Sequence, residues 1–235
     1  SSRILDLDVR QTMLLAQKLF ESGLITYIRT DSTRVSDVGI AVGKKLVHDY
    51  FGAHLHVPRD WSRRPEEGAH ECIRPTRPLM LEDLKEAIEY EEIVLPEKLP
   101  PEAFELYDLI TRIFTASQMK KAKVRMLRIK IKVTLEEVIN GEKVTETVDV
   151  DIEGISEAIE EGFIKAYNDK MRELLLPKFI KLPAKRKFSG LEIEVEKTEI
   201  REARLLTDGD LVRLMREKKI GRPSTYAIII DKLFK

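Results

Sequence analysis

The chain has 235 residues, in which 41 Lys or Arg offset 41 Asp or Glu. That length allows two compact units or one unit with excursions, and zero net charge by itself argues neither for nor against a polyanionic partner. One cysteine, Cys72, excludes an intramolecular disulfide and a zinc finger. No run of about 18 apolar residues and no signal-peptide core occurs, so a soluble, cytoplasmic protein is expected. Charged residues make up 35% of the chain, against a usual figure of about 25%. Surface ion-pair networks of that density fit a protein working at high temperature, where the desolvation cost of ion pairs falls.

In chain order, Val9 to Ser22 has helical spacing of Val9, Met13, Ala16, Leu19 and Phe20, with Gly23 where a C-terminal cap belongs. "LITYI" then predicts a short extended segment, after which Ser36 or Asp37 caps a second helix to about Phe51. From His54 to Pro78 periodicity disappears and a long loop is expected. A short helix over "LEDLKEAIEY" leads to a well-marked one from about Glu102 to Met119, with Phe104, Tyr107, Ile110, Ile113 and Phe114 as its apolar stripe.

Near Lys123 the period changes from helical to alternating, and "ING" at 139–141 predicts a hairpin turn into "KVTETVDVDI". Further strands are expected at "FIKAYN" and "LEIEVEK". "DGDLVRLMREKKI" returns to helix with Thr207 or Asp208 as cap, and "GRPSTYAIIIDKLFK" opens another, with Pro223 suited to its first turn. Residues 112–132 hold eight Lys or Arg and no Asp or Glu, which allows a basic face despite the zero net charge, although charge alone favours a solvated, salt-bridged surface.

Three clusters carry chemistry. In "LITYIRTDSTRVS", Tyr27 and Arg29 project to one face of an extended segment, followed by Thr30, Asp31, Ser32 and Thr33. A tyrosyl hydroxyl has a pKa of about 10 and is a poor nucleophile unless cations or donors stabilise its phenolate, which Arg29 can do. In "EGAHECIRPTRP", His70, Glu71, Arg74 and Thr76 combine a proton carrier with a guanidinium suited to phosphate. In "KIGRPSTYA", Gly221, Arg222, Ser224, Thr225 and Tyr226 place hydroxyls and a cation beside the first N–H groups of a helix, an arrangement that suits an anion. Taken one at a time each is only suggestive: spacing alone favours a half-buried Tyr27 with a surface Arg29, and the second cluster also reads as a loop stiffened by Pro75 and Pro78.

Together, and in this order, the three clusters resemble the type IA DNA topoisomerases. "LITYIRTDSTRVS" is similar to their active-site tyrosine motif, "GAHECIRPT" to their histidine–arginine motif, "IGRPSTYA" to their downstream DNA-binding motif, and "LYDLITRIFTASQMKKAKV" to the helix between. The resemblance implies that Tyr27 attacks one DNA strand and becomes joined to its 5′ phosphate, that Arg29 stabilises charge at that phosphate, and that His70 contacts DNA near the break or moves a proton. Thr30, Asp31, Ser32, Thr33, Arg74, Arg222, Ser224, Thr225 and Tyr226 are implied in DNA contacts.

The implied fold is α+β, part of a toroid: residues 1–121 a mainly helical tyrosine domain, 122–200 a β-rich arch or hinge, 201–235 the start of a helical strand-binding domain. The family holds Mg²⁺ on an upstream Toprim domain, and none precedes residue 1. The chain is therefore expected to be part of a larger enzyme, with no metal site of its own and inactive alone. Within the family, "LLTDGDLVRLMREKKIGRPSTYA" and the charge content are most similar to the topoisomerase part of reverse gyrase, with an ordinary relaxing enzyme, or a single-strand-binding module without catalysis, as alternatives. ATP would then act only through a separate helicase-like module, since no Walker-type glycine loop occurs in this chain. Single-stranded DNA and the upstream domains are the implied partners, with no membrane.

Overall fold

Asp8 starts the first helix by accepting a hydrogen bond from the Gln11 N–H while the Gln11 side chain accepts from the Asp8 N–H, which satisfies two donors that a helix start leaves open. The resulting helix α1, Val9–Glu21, ends where the Gly23 N–H donates to Phe20 O and the Leu24 N–H to Leu19 O. The structure is a computed structural model and describes residues 3–62, 70–139, 142–180 and 207–233. It divides into two compact units, one of Ser1–Lys121, Gly162–Leu174 and Ile200–Lys235, the other of Ala122–Glu161 and Leu175–Glu199.

The first unit is helical. After α1 come α2 (Asp37–Tyr50), α3 (Leu81–Glu89) and α4 (Pro101–Ser117), close to the expected bounds. Ser36 caps α2 by accepting from the Gly39 N–H, and Pro101 opens α4 at a position that has no intrahelical N–H to lose. The apolar stripes of α1, α3 and α4 meet around Leu19, Leu84, Ala103, Leu106 and Tyr107, joined by Leu24, Ile25 and Ile28 from the extended segment. The tyrosine segment is therefore bedded in the main core, with side chains on either side of Tyr27 buried in it.

Gly162–Ala166 is a turn of 3₁₀ helix rather than the strand expected for "FIKAYN". Gly162 turns the chain, the Phe163 N–H donates to Lys120 O, and Ile164 and Ala166 are buried, so the segment closes on the helical unit instead of extending a sheet. Residues 162–174, placed by sequence with the β-rich segment, cluster with the helices. Helix α5 spans Asp169–Leu175. Helices α6 (Asp208–Glu217) and α7 (Tyr226–Leu233) follow, α6 capped by a reciprocal pair of bonds between Thr207 and Asp210.

The second unit is an antiparallel ribbon of β1 (Lys123–Ile139) and β2 (Glu142–Glu160), paired from Lys123↔Glu160 to Ile139↔Glu142 with register shifts near Lys123 and Arg125. Beside Ile155 a third segment pairs in parallel through Phe179, with the Ile155 N–H donating to Lys178 O and the Ile180 N–H to Ile155 O. Ile155 is buried there. The hairpin turn at 140–141 and the strand expected at "LEIEVEK" lie outside the described residues.

The basic run has the salt-bridged surface that charge alone favours, rather than a basic face. On the ribbon Lys123 pairs with Glu160, Arg125 with Glu157 and Arg128 with Glu153, while in α4 Arg112 pairs with Asp108. A one-signed stretch of β1 faces an opposite-signed stretch of β2, so cross-strand pairing cancels the field that the linear sequence suggests.

Candidate active site

The tyrosine segment and the histidine–arginine segment run antiparallel side by side. The Thr26 N–H donates to Arg74 O (2.9 Å), the Thr76 N–H to Leu24 O (3.0 Å) and the Cys72 N–H to Arg34 O (2.8 Å). Thr26 adds a side-chain clasp, its Oγ1 donating to Cys72 O (2.8 Å) and accepting from the Arg74 N–H (3.0 Å). This short ladder, whose central bridge is Ile25↔Pro75, fixes Tyr27 beside His70 although 43 positions separate them in sequence.

Tyr27 is 43% exposed, and its ring meets Phe20 of α1 edge-on, with centroids 5.4 Å apart at 66°. Its neighbours Ile25 and Ile28 are buried, so the backbone is anchored while the phenol faces out. The hydroxyls that follow shape the segment. Thr30 Oγ1 accepts from the Ser32 N–H (3.1 Å), Ser32 Oγ from the Arg34 N–H (3.1 Å), and Thr33 Oγ1 donates to Trp61 O (3.1 Å).

An open cleft of about 350 Å³ brings the three motifs together: Tyr27, Arg29, Thr30 and Asp31 from the first, His70 from the second, and Arg222, Pro223 and Ser224 from the third. The third motif reaches it on the turn between α6 and α7. Gly221 there has φ +76°, and the Arg222 N–H donates to Thr225 Oγ1 (2.9 Å) while the Thr225 N–H donates to Arg222 O (2.8 Å). Pro223 lies in this turn, ahead of the helix that starts at Tyr226, not in its first turn as the sequence suggests.

Arg74, implied in DNA contacts by the resemblance, turns its side chain inward. Its side chain is only 4% exposed: Nε donates to Glu71 Oε2 and Nη2 to Glu71 Oε1 (2.9 Å each), and Nη1 to Pro75 O (2.9 Å). Glu71 also accepts from the Ser36 hydroxyl (2.7 Å), which ties the loop to the start of α2. A Cβ on Gly39 would lie 2.6 Å from Arg74 Nε, so the helix has a glycine where the guanidinium passes. Burial pushes the Glu71 carboxyl up, but the hydrogen bonds from Arg74 and Ser36 outweigh it and hold the group below its usual range. Arg74 thus holds the loop that presents His70, and among the described residues the guanidiniums that line the cleft are those of Arg29 and Arg222.

Ser32, Thr33, Thr225 and Tyr226 do not line the cleft; the first three spend their hydroxyls on the turns just described. Thr26 and Phe20 were missed by motif reading. Phe20 falls on the helical stripe like any core residue, and only its position three residues before Gly23 hinted that it would meet the returning chain. Among the described residues no three His, Cys, Asp or Glu side chains converge as a metal site requires. Among the described residues that line the cleft Asp31 is the lone carboxylate, and one carboxylate by itself does not make the oxygen-rich cage that Mg²⁺ takes.

Residues 1–235 match the family described as DNA topoisomerase. The chain belongs to the type IA DNA topoisomerases. It is 42% identical over 234 residues to the reverse gyrase of Pyrococcus furiosus, covering 99% of this chain and 17% of that protein. It is 41% identical over 227 residues to reverse gyrase 1 of Aquifex aeolicus, covering 97% of this chain and 17% of that one. The full-length topoisomerase I of Thermotoga maritima shares the fold with a TM-score of 0.61 and 27% identity, over 99% of this chain and 35% of that one. The chain thus spans about a sixth of the length of these curated relatives.

Proposed function

We propose that this chain is the nucleophile-bearing part of a type IA topoisomerase that cuts and reseals one DNA strand, within an enzyme of the reverse gyrase kind. The Tyr27 hydroxyl attacks a backbone phosphorus, the bond from phosphorus to the 3′ oxygen breaks, and the phenol's proton passes to the departing 3′ hydroxyl. The strand is left joined to Tyr27 through its 5′ phosphate. The reverse attack reseals it, and since one phosphodiester replaces another, no external energy source is needed for the chemistry itself.

Convergence of Tyr27, Arg29, His70, Arg222 and Ser224 on one cleft carries this reading. Two guanidiniums facing the attacked phosphate offset the charge that builds on its oxygens. His70 lies within the same cleft, where an imidazole serves as proton carrier near neutral pH. Thr30, Asp31 and Ser224 line the path of the bound strand. Mg²⁺ belongs to an upstream Toprim domain in this reading, and ATP, which would drive positive supercoiling, to a separate helicase-like module. Sequence identity of about 40% to reverse gyrases, with the dense surface charge, favours that kind over an ordinary relaxing enzyme. Among the described residues no helix is long and apolar enough to cross a membrane, in keeping with a cytoplasmic partner of DNA.

Tyr27→Phe tests it. In the complete enzyme with Mg²⁺ and a single-stranded oligonucleotide, denaturing electrophoresis should show a protein–DNA adduct for the wild type and none for the variant, with unfolding unchanged. An adduct that persists in Tyr27→Phe removes the assignment. Lack of any adduct in wild-type enzyme that still binds the strand favours the plain binding module.

A further inference from the structure

Helices α6 and α7 carry the turn that brings Arg222 and Ser224 to Tyr27, and their apolar anchoring is thin. Among the described residues of 207–233, Met215 and Ile230 are the buried apolar side chains, while Ile220, Ile228 and Leu233 are exposed. Polar contacts to residues 3–10 add to it. Asp208 Oδ2 accepts from the Val9 N–H (3.4 Å), Arg3 Nη2 donates to Asp210 Oδ1 (3.3 Å), and Arg10 Nη1 lies 3.8 Å from Asp231 Oδ1. Asp208 is the first residue of α6 and stands at the first N–H of α1, so one carboxylate meets the positive ends of two helices.

From that point α1 runs 13 residues, about 20 Å at 1.5 Å per residue, to Phe20 and its edge contact with Tyr27. The helix is a rod with the nucleophile at one end and the outer ends of α6 and α7, whose inner turn carries Arg222, fastened near the other. We infer that Asp208 and the Arg10–Asp231 pair are positioning residues that set the separation of Arg222 from Tyr27, an electrostatic latch rather than a packed joint. This rests on the reading of the cleft as the cleavage site.

The physics of the latch differs from that of the tyrosine bed. Arg10 and Asp231 are 69% and 36% exposed, so salt weakens their attraction within a screening length of about 8 Å at physiological ionic strength. Ile25 and Ile28 are buried in the apolar core and feel no such screening. Salt should therefore move the third motif relative to the first while leaving Tyr27 in place.

Charge reversal tests this without emptying the core. Spin labels at Glu21→Cys and Lys218→Cys, both exposed positions, with Cys72→Ala in the background, report the separation by pulsed dipolar spectroscopy. The 235-residue chain should give a narrow distance distribution at low salt. Arg10→Asp, Asp231→Arg and Asp208→Lys should each broaden it toward longer distances, and the double exchange Arg10→Asp with Asp231→Arg should restore it. In the complete enzyme each single reversal should raise the oligonucleotide KM for adduct formation roughly fivefold with kcat retained, and the double exchange should recover it. Unchanged distances in the single variants, or a double exchange that fails to recover them, overturn the latch. If the distances respond but the wild-type enzyme forms no Tyr27 adduct, the latch stands and the reaction assigned to the cleft falls.

Discussion

The helical unit and the β ribbon spend charge in opposite ways. In the helical unit one buried pair, Arg74 with Glu71, locks a loop, and two unburied cations, Arg29 and Arg222, face an open cleft. On the ribbon the cations lie opposite acids along the ladder, Lys123 to Glu160, Arg125 to Glu157 and Arg128 to Glu153. The ribbon is the more basic stretch in sequence on its first strand and the less available one in space. Anion binding follows unneutralised charge in a concave setting, not local density of Lys and Arg.

The largest separation of the two regions should appear on truncating a buried side chain. Leu19, fully buried among α1, α3 and α4, should lose about 3 kcal/mol as Leu19→Ala in urea unfolding. Ile129→Ala on the half-buried ribbon should cost about 1 kcal/mol, read by amide exchange in β1 and β2. Equal costs would mean that the ribbon has a core of the same quality.

Next is the loop lock. Arg74→Ala strands a partly buried carboxylate and should cost about 3 kcal/mol, the lower end for a buried pair because Glu71 keeps some exposure. The same substitution should disorder His70 and lower adduct yield while Arg29 and Arg222 remain. Retained stability would make the lock a surface pair in effect.

Two pH windows come after it. Glu71 has a depressed carboxyl, so its contribution is complete above its ordinary value of 4.5 and is lost as pH falls from there through the folded value. His56 is also depressed, by burial first and then by His48 and Lys44, so the unfolded chain takes up its proton earlier. Stability should therefore begin to fall below pH 6.5, with a second fall below 4.5. In urea titrations His56→Gln should flatten the first and Arg74→Ala the second. A first fall that survives in His56→Gln would assign it elsewhere.

The smallest effects belong to the ribbon's charges. Arg125→Ala with Arg128→Ala should leave single-strand affinity and its salt dependence within error, whereas Arg29→Ala with Arg222→Ala should weaken binding and flatten the log–log salt slope by about 0.7 per lost phosphate contact. Glu153→Gln with Glu157→Gln should free the ribbon's cations and raise affinity slightly. A large loss from the ribbon pair would show that its ion pairs open to DNA.

Much of this was legible in the sequence because local signals and motifs agreed. Gly23, Ser36, Pro101 and Thr207 mark helix ends by their own hydrogen bonding or backbone limits, and the bounds lie close to those positions. Alternation beyond Lys123 likewise announced β1 and β2. "FIKAYN" misled because its residues suit a strand, while what decides its conformation is the turn at Gly162 and the bond from Phe163 to Lys120, a partner 43 residues away. The inward turn of Arg74 was not legible for a related reason. Its motif position does not say whether the guanidinium faces solvent, and only the approach of Gly39 and Ser36 turns it inward. Charge alone favoured a salt-bridged surface for the basic run, but which acid meets which cation was hidden until the register was known.

The single tryptophan, Trp61, is half exposed; its Nε1–H donates to Ser117 O at 3.2 Å, its carbonyl accepts from Thr33, and the Arg59 guanidinium lies 5.6 Å from its ring. An indole so placed is an optical gauge native to the protein. It is tied at one end to the last turn of α4 and at the other to the stretch that follows Tyr27, so its emission maximum and its quenching by a neighbouring cation register any shift between them. Strand engagement at the cleft can then be timed in stopped flow on the unlabelled protein, with Phe20 and the ribbon, which lack indoles, silent in the same record.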